Sequence, residues 1–301
     1  MRSPIFQLDA FATERFRGNP AAVMPLAVFP PDTVLQAIAA ENNLSETAFL
    51  VGGDGEYRLR WFTPTVEVPL CGHATLASAA VVLEKLEPNR QSVTFQTLSG
   101  PLTVKRSGAG YAMDFPARPT SPALTPAALV QALGAEPREV RADPINYLVV
   151  LESEAAVRAL APDIAGIARL DRLGVIVTAQ GASAYDCVSR YFTPARGVAE
   201  DPVTGSAHCA LAPYWAERLG KTQLRAFQAS RRGGELTCRV RGERVELEGS
   251  CVFYLEGQAD ICPAPALRGP GWPRSAHPRG CRGRCRHPSR PMPRTRRCYL
   301  A

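Results

Sequence analysis

Residues 61–77 read Trp-Phe-Thr-Pro-Thr-Val-Glu-Val-Pro-Leu-Cys-Gly-His-Ala-Thr-Leu-Ala, and residues 191–210 read Tyr-Phe-Thr-Pro-Ala-Arg-Gly-Val-Ala-Glu-Asp-Pro-Val-Thr-Gly-Ser-Ala-His-Cys-Ala. Both run aromatic-Phe-Thr-Pro, then a spacer, then Pro-x-x-Gly-x-Ala-x-x-Ala, and the second copy has three more spacer residues. The pattern is a strand, a loop and a helix opened by glycine. A chain that repeats this unit about 130 residues apart consists of two similar halves, and the cleft between them is the place to look for chemistry.

At 301 residues with 46% apolar content, the chain can form one large or two medium domains. No apolar run is long enough to span a membrane, and the first residues lack a signal-peptide core. The expectation is a soluble cytoplasmic protein. The net charge of +7 comes from the end of the chain, because residues 263–301 hold ten Arg, no Lys and no acidic residue. Residues 1–262 carry 25 basic and 28 acidic residues, a net of −3, so nothing there resembles a nucleic-acid surface. With eight Pro and no apolar period, the 263–301 tail is expected to be disordered, an out-of-frame or vestigial extension. The nine cysteines form no paired framework and suit reduced thiols. Cys281-x-x-x-Cys285-x-His287 lacks a fourth ligand at metal-site spacing, so a metal site is not expected there.

Strands are expected at Phe6–Phe11, through Met24, at Ser45–Val51 and at Tyr57–Phe62, with a helix capped by Asp32 between the second and third. The first repeat helix, roughly 72–87, is apolar on nearly every face, so it is buried all round. The second, roughly 205–219, contains Pro213, which should bend it, and stops at Gly220. Strand-like stretches follow each helix: 92–97, 102–106 and 111–115, then 223–228, 235–240, 243–248 and 251–255. The fold class is therefore α+β, two pseudo-symmetric halves, each a curled and mostly antiparallel sheet around a central helix. The division is 1–118, 119–262 and the tail, with Pro116–Pro126 as linker, and the exact crossover near 249–262 stays open.

Only His73 and His208 precede the tail. His73 follows Gly72 at a helix start, where free backbone N–H groups favour an anion; His208 lies further along the second helix, where packing is the simpler reading. Pro69-Leu70-Cys71-Gly72 and Pro202-Val203-Thr204-Gly205 each end at a helix N-terminus, so two dipoles converge if the halves face one another. That favours a carboxylate substrate. The plain alternative is a cap made by Thr204 or Ser206.

Four blocks make a resemblance specific: Phe16-Arg17-Gly18-Asn19-Pro20-Ala21-Ala22-Val23, Asn43-Leu44-Ser45-Glu46-Thr47-Ala48-Phe49, Cys71-Gly72-His73-Ala74-Thr75-Leu76-Ala77 and Glu200-Asp201-Pro202-Val203-Thr204-Gly205-Ser206-Ala207-His208. In order and spacing they resemble the signature blocks of the PhzF family, named for phenazine biosynthesis, over roughly 1–262. The resemblance implies the diaminopimelate epimerase-like fold and proton-transfer isomerisation of trans-2,3-dihydro-3-hydroxyanthranilate without cofactor or metal. By the same resemblance Glu46 is the catalytic general acid/base, with His73, Asp201 and Ser206 at the other active-site positions and a homodimer as the assembly. Gly72, Gly205 and Ser206 would bind the acid group of a small carboxylate substrate.

Other readings stay open. An amino-acid racemase or epimerase on this fold would use two thiols, one from each half. Cys71 sits at a helix start, but its repeat partner is Thr204, so a thiol pair is disfavoured and Cys71 reads as a packed small residue. A non-catalytic binding member would bind ligand without proton exchange, and nucleic-acid binding by the arginine tail would be salt-sensitive and lost with residues 263–301.

Overall fold

The first half of the chain lays down β1 (Arg2–Ala10), β2 (Asn19–Pro25), α1 (Asp32–Asn42), β3 (Glu46–Gly53), β4 (Glu56–Phe62), β5 (Glu67–Val68), α2 (Gly72–Val81), β6 (Ser92–Thr97), β7 (Gly100–Ser107) and β8 (Gly110–Pro116). The second contributes β9 (Ser121–Pro122), α3 (Ala127–Leu133), β10 (Glu139–Ala142), β11 (Asn146–Val150), α4 (Glu154–Ala159), α5 (Ile164–Ala168), β12 (Gly174–Gln180), β13 (Cys187–Phe192), α6 (Gly205–Leu219), β14 (Gln223–Gln228), β15 (Gly234–Arg241), β16 (Arg244–Gly249) and β17 (Cys251–Asp260). This computed structural model describes residues 2–108 and 110–261. The Arg/Pro-rich tail, which the sequence marks as disordered, lies outside the described residues, as do Cys281, Cys285 and His287.

Strand pairing shows the internal repeat directly. One series runs β17–β1–β2–β3–β4–β6–β7–β8, with β5 joined to β4. The other runs β9–β10–β11–β12–β13–β14–β15–β16. In each series only the third and fifth junctions are parallel, β2 with β3 and β4 with β6, then β11 with β12 and β13 with β14. An antiparallel β8–β16 pair joins the two series. The match is circular in the chain: β17, the last strand among the described residues, occupies in the first series the place β9 occupies in the second. Residues 251–260, grouped by sequence with 119–262, thus pair along their whole length with β1.

The two repeat helices occupy the insides of the curls. α2 packs on β1, β2, β3 and β8, and α6 on β14, β15 and β16. Residues 73–81 are all buried, as the all-round apolar pattern requires, and Ala74, Ala77, Ala79 and Ala80 let backbone approach closely. The polar members are satisfied within the helix, Thr75 Oγ1 donating to Cys71 O at 2.6 Å and Ser78 Oγ to Ala74 O at 2.7 Å. The helix expected to reach residue 87 changes at Val82 into a π-helical turn, closed by Glu87 N to Val82 O at 2.7 Å. In α6, Pro213 has no N–H to give the Cys209 carbonyl, and Arg118 N takes that acceptor at 2.8 Å. The linker is pinned to the second helix by the hydrogen bond the proline leaves free. The expected Asp32 cap is corrected: Pro31 is the N-cap, and Asp32 stands in the first turn, bonded to Arg60.

A strap closes the two halves on one another. Phe11 ends β1 with a left-handed backbone, φ 58°, and its fully buried ring lies where a Cβ on Gly249 would come within 2.4 Å. That conformation costs about 1–2 kcal/mol, and burial of the ring offsets it. The following loop is held by Arg232, which donates to Asp9 Oδ1 at 2.6 Å and to Gly18 O at 2.8 Å, while Asp9 Oδ2 accepts Phe16 N at 2.8 Å. Asp9 is buried with a partly exposed cation as its counter-ion. Arg232→Ala leaves that carboxylate unpaired and is expected to lower unfolding free energy by about 3 kcal/mol; urea denaturation of the variant measures it.

Candidate active site

Each expected acid/base residue is fixed by the backbone immediately around it. Asn43 ends α1 in the left-handed conformation, φ 47°, and the chain turns into β3 with Glu46 as its first residue, in register with Ala21 of β2. His73 is the second residue of α2, after Cys71 and Gly72. Asp201 lies in the loop before α6, where its N–H donates to Tyr191 O at 3.0 Å and its carbonyl accepts Gln228 Nε2 at 2.7 Å. Gln228 Oε1 in turn accepts Thr204 N at 2.8 Å, so one fully buried glutamine at the end of β14 holds both ends of that loop.

The fold brings the three together. His73 Nε2 stands 3.0 Å from Glu46 Oε2. On the other side of the ring, His73 Nδ1 is 3.1 Å from Asn19 Nδ2, which also donates to Asp201 Oδ1 at 2.8 Å and Val203 O at 2.9 Å. Glu46 and His73 come from the first half and Asp201 from the second. Gly72 and Gly205 meet at the centre: a Cβ on Gly72 would lie 3.7 Å from Gly205 Cα. Ser206 follows in the first turn of α6, half-buried.

The helix starts are not capped in the plain way. Neither Cys71 at the head of α2 nor Thr204 at the head of α6 makes a side-chain cap hydrogen bond. The Thr204 hydroxyl donates to Asp201 Oδ2 instead. Two helix N-termini with uncommitted side-chain caps therefore face each other at a glycine–glycine contact, and their dipoles add to favour an anion.

Burial sets the protonation states. It pushes the Asp201 carboxyl up to about 6, against the pull of the His73 charge and the bonds from Thr204 and Asn19. Burial disfavours a charge on His73, but Cys71 and Glu46 beside it more than compensate and its pKa stands well above the usual imidazole range. Because burial raises the Cys71 thiol to about 11, that sulfur is neutral near pH 7. His208 stands apart as the packing reading expects: fully buried, it donates from Nδ1 to Thr204 O at 2.8 Å, and desolvation lowers its pKa to about 4.

Glu46, Cys71 and His73 place ligand-type atoms within 4.8 Å of one another, a donor set suited to a soft divalent ion. The Glu46–His73 ion pair engages two of those donors. The described cysteines, Cys71, Cys187, Cys209, Cys238 and Cys251, are free thiols. Asn19 and Gln228 are the site residues that the chemistry-led reading passes over. Asn19 lies inside the Phe16–Val23 block, which was its one available signal; Gln228 carries none.

The sequence profile of the phenazine biosynthesis-like family, PhzC-PhzF, matches residues 8–257. An isomerase of Pseudomonas aeruginosa, named as uncharacterized, is 56% identical over 258 residues, covering 85% of this chain and 98% of its own. The crystal structure of a PhzF family protein from Enterococcus faecalis superposes with a TM-score of 0.84 at 44% identity, covering 86% of this chain and all of that one. A hydroxyproline epimerase from Agrobacterium vitis, at 10% identity and a TM-score of 0.56, shares the fold alone. The fold is diaminopimelate epimerase-like. The chain belongs to the phenazine biosynthesis-like, or PhzF, family.

Asp201 makes stability depend on pH. Its pKa is higher in the folded chain than the ordinary aspartate value of 3.8, so the folded state favours the protonated form. The stability associated with that proton is complete below about pH 4 and is lost as pH rises through about 6. Asp201→Asn does not titrate there. Its unfolding free energy relative to the parent is expected to rise by about 2–3 kcal/mol between pH 4 and pH 7, measured by denaturant titration at both pH values.

Proposed function

We propose that the protein is an isomerase that moves a proton within a small carboxylate-bearing substrate by general acid/base catalysis, without a cofactor. The observation that carries this reading is the meeting of two uncapped helix N-termini, Gly72 and Gly205, beside Glu46, His73 and Asp201 from opposite halves. The helix starts and Ser206 hold the substrate's acid group. Glu46 takes a proton from a carbon made acidic by that group or by a neighbouring enamine. The electron pair shifts along the conjugated system, and Glu46 returns the proton at another carbon of the same molecule, so no atom or electron is gained or lost. Protonated His73 stabilises the Glu46 carboxylate before it takes the proton and after it has returned it. Asp201, titrating at about 6, supplies a second acid/base group near working pH.

A racemase using two thiols is the weaker reading. The repeat partner of Cys71 is Thr204, whose hydroxyl is committed to Asp201, and the Cys71 thiol stays protonated near neutral pH. Cys71→Ser is expected to retain turnover within about threefold of the parent; a loss as deep as that of a Glu46 variant would restore the thiol mechanism.

Solvent-deuterium incorporation followed by NMR tests the assignment. The protein is incubated in D₂O with trans-2,3-dihydro-3-hydroxyanthranilate and a panel of amino and cyclic acids. One compound is expected to take up deuterium with the intact protein, and Glu46→Gln to fall by at least about 10³-fold with the fold retained by circular dichroism. Uptake undiminished in Glu46→Gln would remove Glu46 from the mechanism. Ligand binding without uptake would identify a binding protein instead.

A further inference from the structure

Asn19 is fully buried at the start of β2, and its amide nitrogen is oversubscribed. Nδ2 stands 2.8 Å from Asp201 Oδ1, 2.9 Å from Val203 O and 3.1 Å from His73 Nδ1. An amide nitrogen carries two hydrogens, so it cannot serve three acceptors at once. Rotating the amide gives no relief, because Oδ1 would then face the Asp201 carboxylate and the Val203 carbonyl, two acceptors. Oδ1 instead lies buried with no hydrogen-bond partner, an uncommon state for an amide oxygen.

The Val203 carbonyl is always an acceptor, so one hydrogen is committed to it. The other must choose between His73 in the first half and Asp201 in the second. We infer that Asn19 is a positioning residue that couples these two groups, its single free N–H passing to Asp201 when His73 Nδ1 carries a proton and being shared with His73 when it does not. The inference rests on the acid/base reading of the site.

The consequence is an opposed response. With Nδ1 protonated, the whole hydrogen bond falls on Asp201 and favours its carboxylate. With Nδ1 bare, Asp201 loses part of that bond and holds a proton more readily. A proton gained on one side of the cleft thus eases the loss of one on the other, in addition to the direct charge effect. The groups facing Asp201 are His73 and, further off, Glu46. Tyr191 lies within electrostatic reach, and Cys71 Sγ is beside His73 at 3.6 Å. Of these, only His73 is hydrogen-bonded to the Asn19 side chain, so substitution there removes its bonds to His73, Asp201 and Val203 and leaves Glu46, Tyr191 and Cys71 in place.

The test needs no substrate. Protein labelled with ¹³C at aspartate side-chain carboxyls is titrated by NMR, and the Asp201 midpoint is compared with that of Asn19→Ala, with Asn19→Asp measured if the alanine variant does not fold. Loss of the N–H donor is expected to raise the Asp201 midpoint by about one pH unit or more, and the added carboxylate of Asn19→Asp to raise it at least as far. The acidic limb of the deuterium-exchange rate should move with it. A midpoint in a folded variant within about 0.2 units of the parent, even with a lowered melting temperature, would show that Asn19 only fills space. The two readings fail separately. An unmoved midpoint overturns the coupling and leaves the isomerase reading intact, whereas a moved midpoint in a protein that exchanges no deuterium leaves the coupling standing and removes that reading.

Discussion

Two helices that point their N-termini at one another present a charge problem, and the rest of the site is arranged around it. At the Gly72–Gly205 contact the partial positive ends of α2 and α6 add instead of cancelling. Glycine on both sides permits the approach, and the caps that would normally absorb those N–H groups are absent or diverted, Thr204 to Asp201 and Cys71 to no cap at all. Glu46 and Asp201 bring compensating negative charge from opposite halves, and His73 lies between them. A bound carboxylate would complete the balance, and that is the reason to seek the ligand among small acids.

The internal repeat explains the shape of the site, and its breakdown explains the chemistry. Gly72 and Gly205 are equivalent by repeat position and meet face to face. The neighbouring positions diverge: Cys71 corresponds to Thr204 and His73 to Ser206. One helix start therefore carries an imidazole and the other a hydroxyl, so the two sides of the cleft can perform different tasks on one molecule. A symmetric pair of thiols would suit inversion at a single carbon. The pair found here is unlike, an imidazole on one side and a hydroxyl on the other.

The sequence announced the first half and the two repeat helices because their patterns are strong. The all-apolar run from Ala74 to Leu83, the glycines before each helix and the alternating strands near 92–115 and 223–248 each have one sensible reading. The stretch from Ala127 to Gln180 does not. α4 and α5 are short, and β11 and β12 are buried on both faces, which erases the alternation that marks a strand. The family blocks carried Glu46, His73 and Asp201. Asn19 was quoted within such a block, but its role depends on three acceptors supplied by residues 54 to 184 positions away, and no local pattern encodes that meeting. Likewise, the acid strength of Asp201 comes from desolvation by the folded cleft, which a turn-like Asp-Pro dipeptide does not reveal.

The place of β17 has a consequence for how the chain comes into being. Its pairing with β1 joins residues about 250 positions apart. As the polypeptide is synthesised, β1 therefore leaves the ribosome with one edge bare and stays so until residues 251–260 have been made. During that interval an open strand edge is available to any other extended chain, which favours aggregation. The duplicated architecture thus does not give two independent folding units. The first half is finished by the last strand, and the gene cannot be divided at its midpoint into two pieces that each close their own sheet.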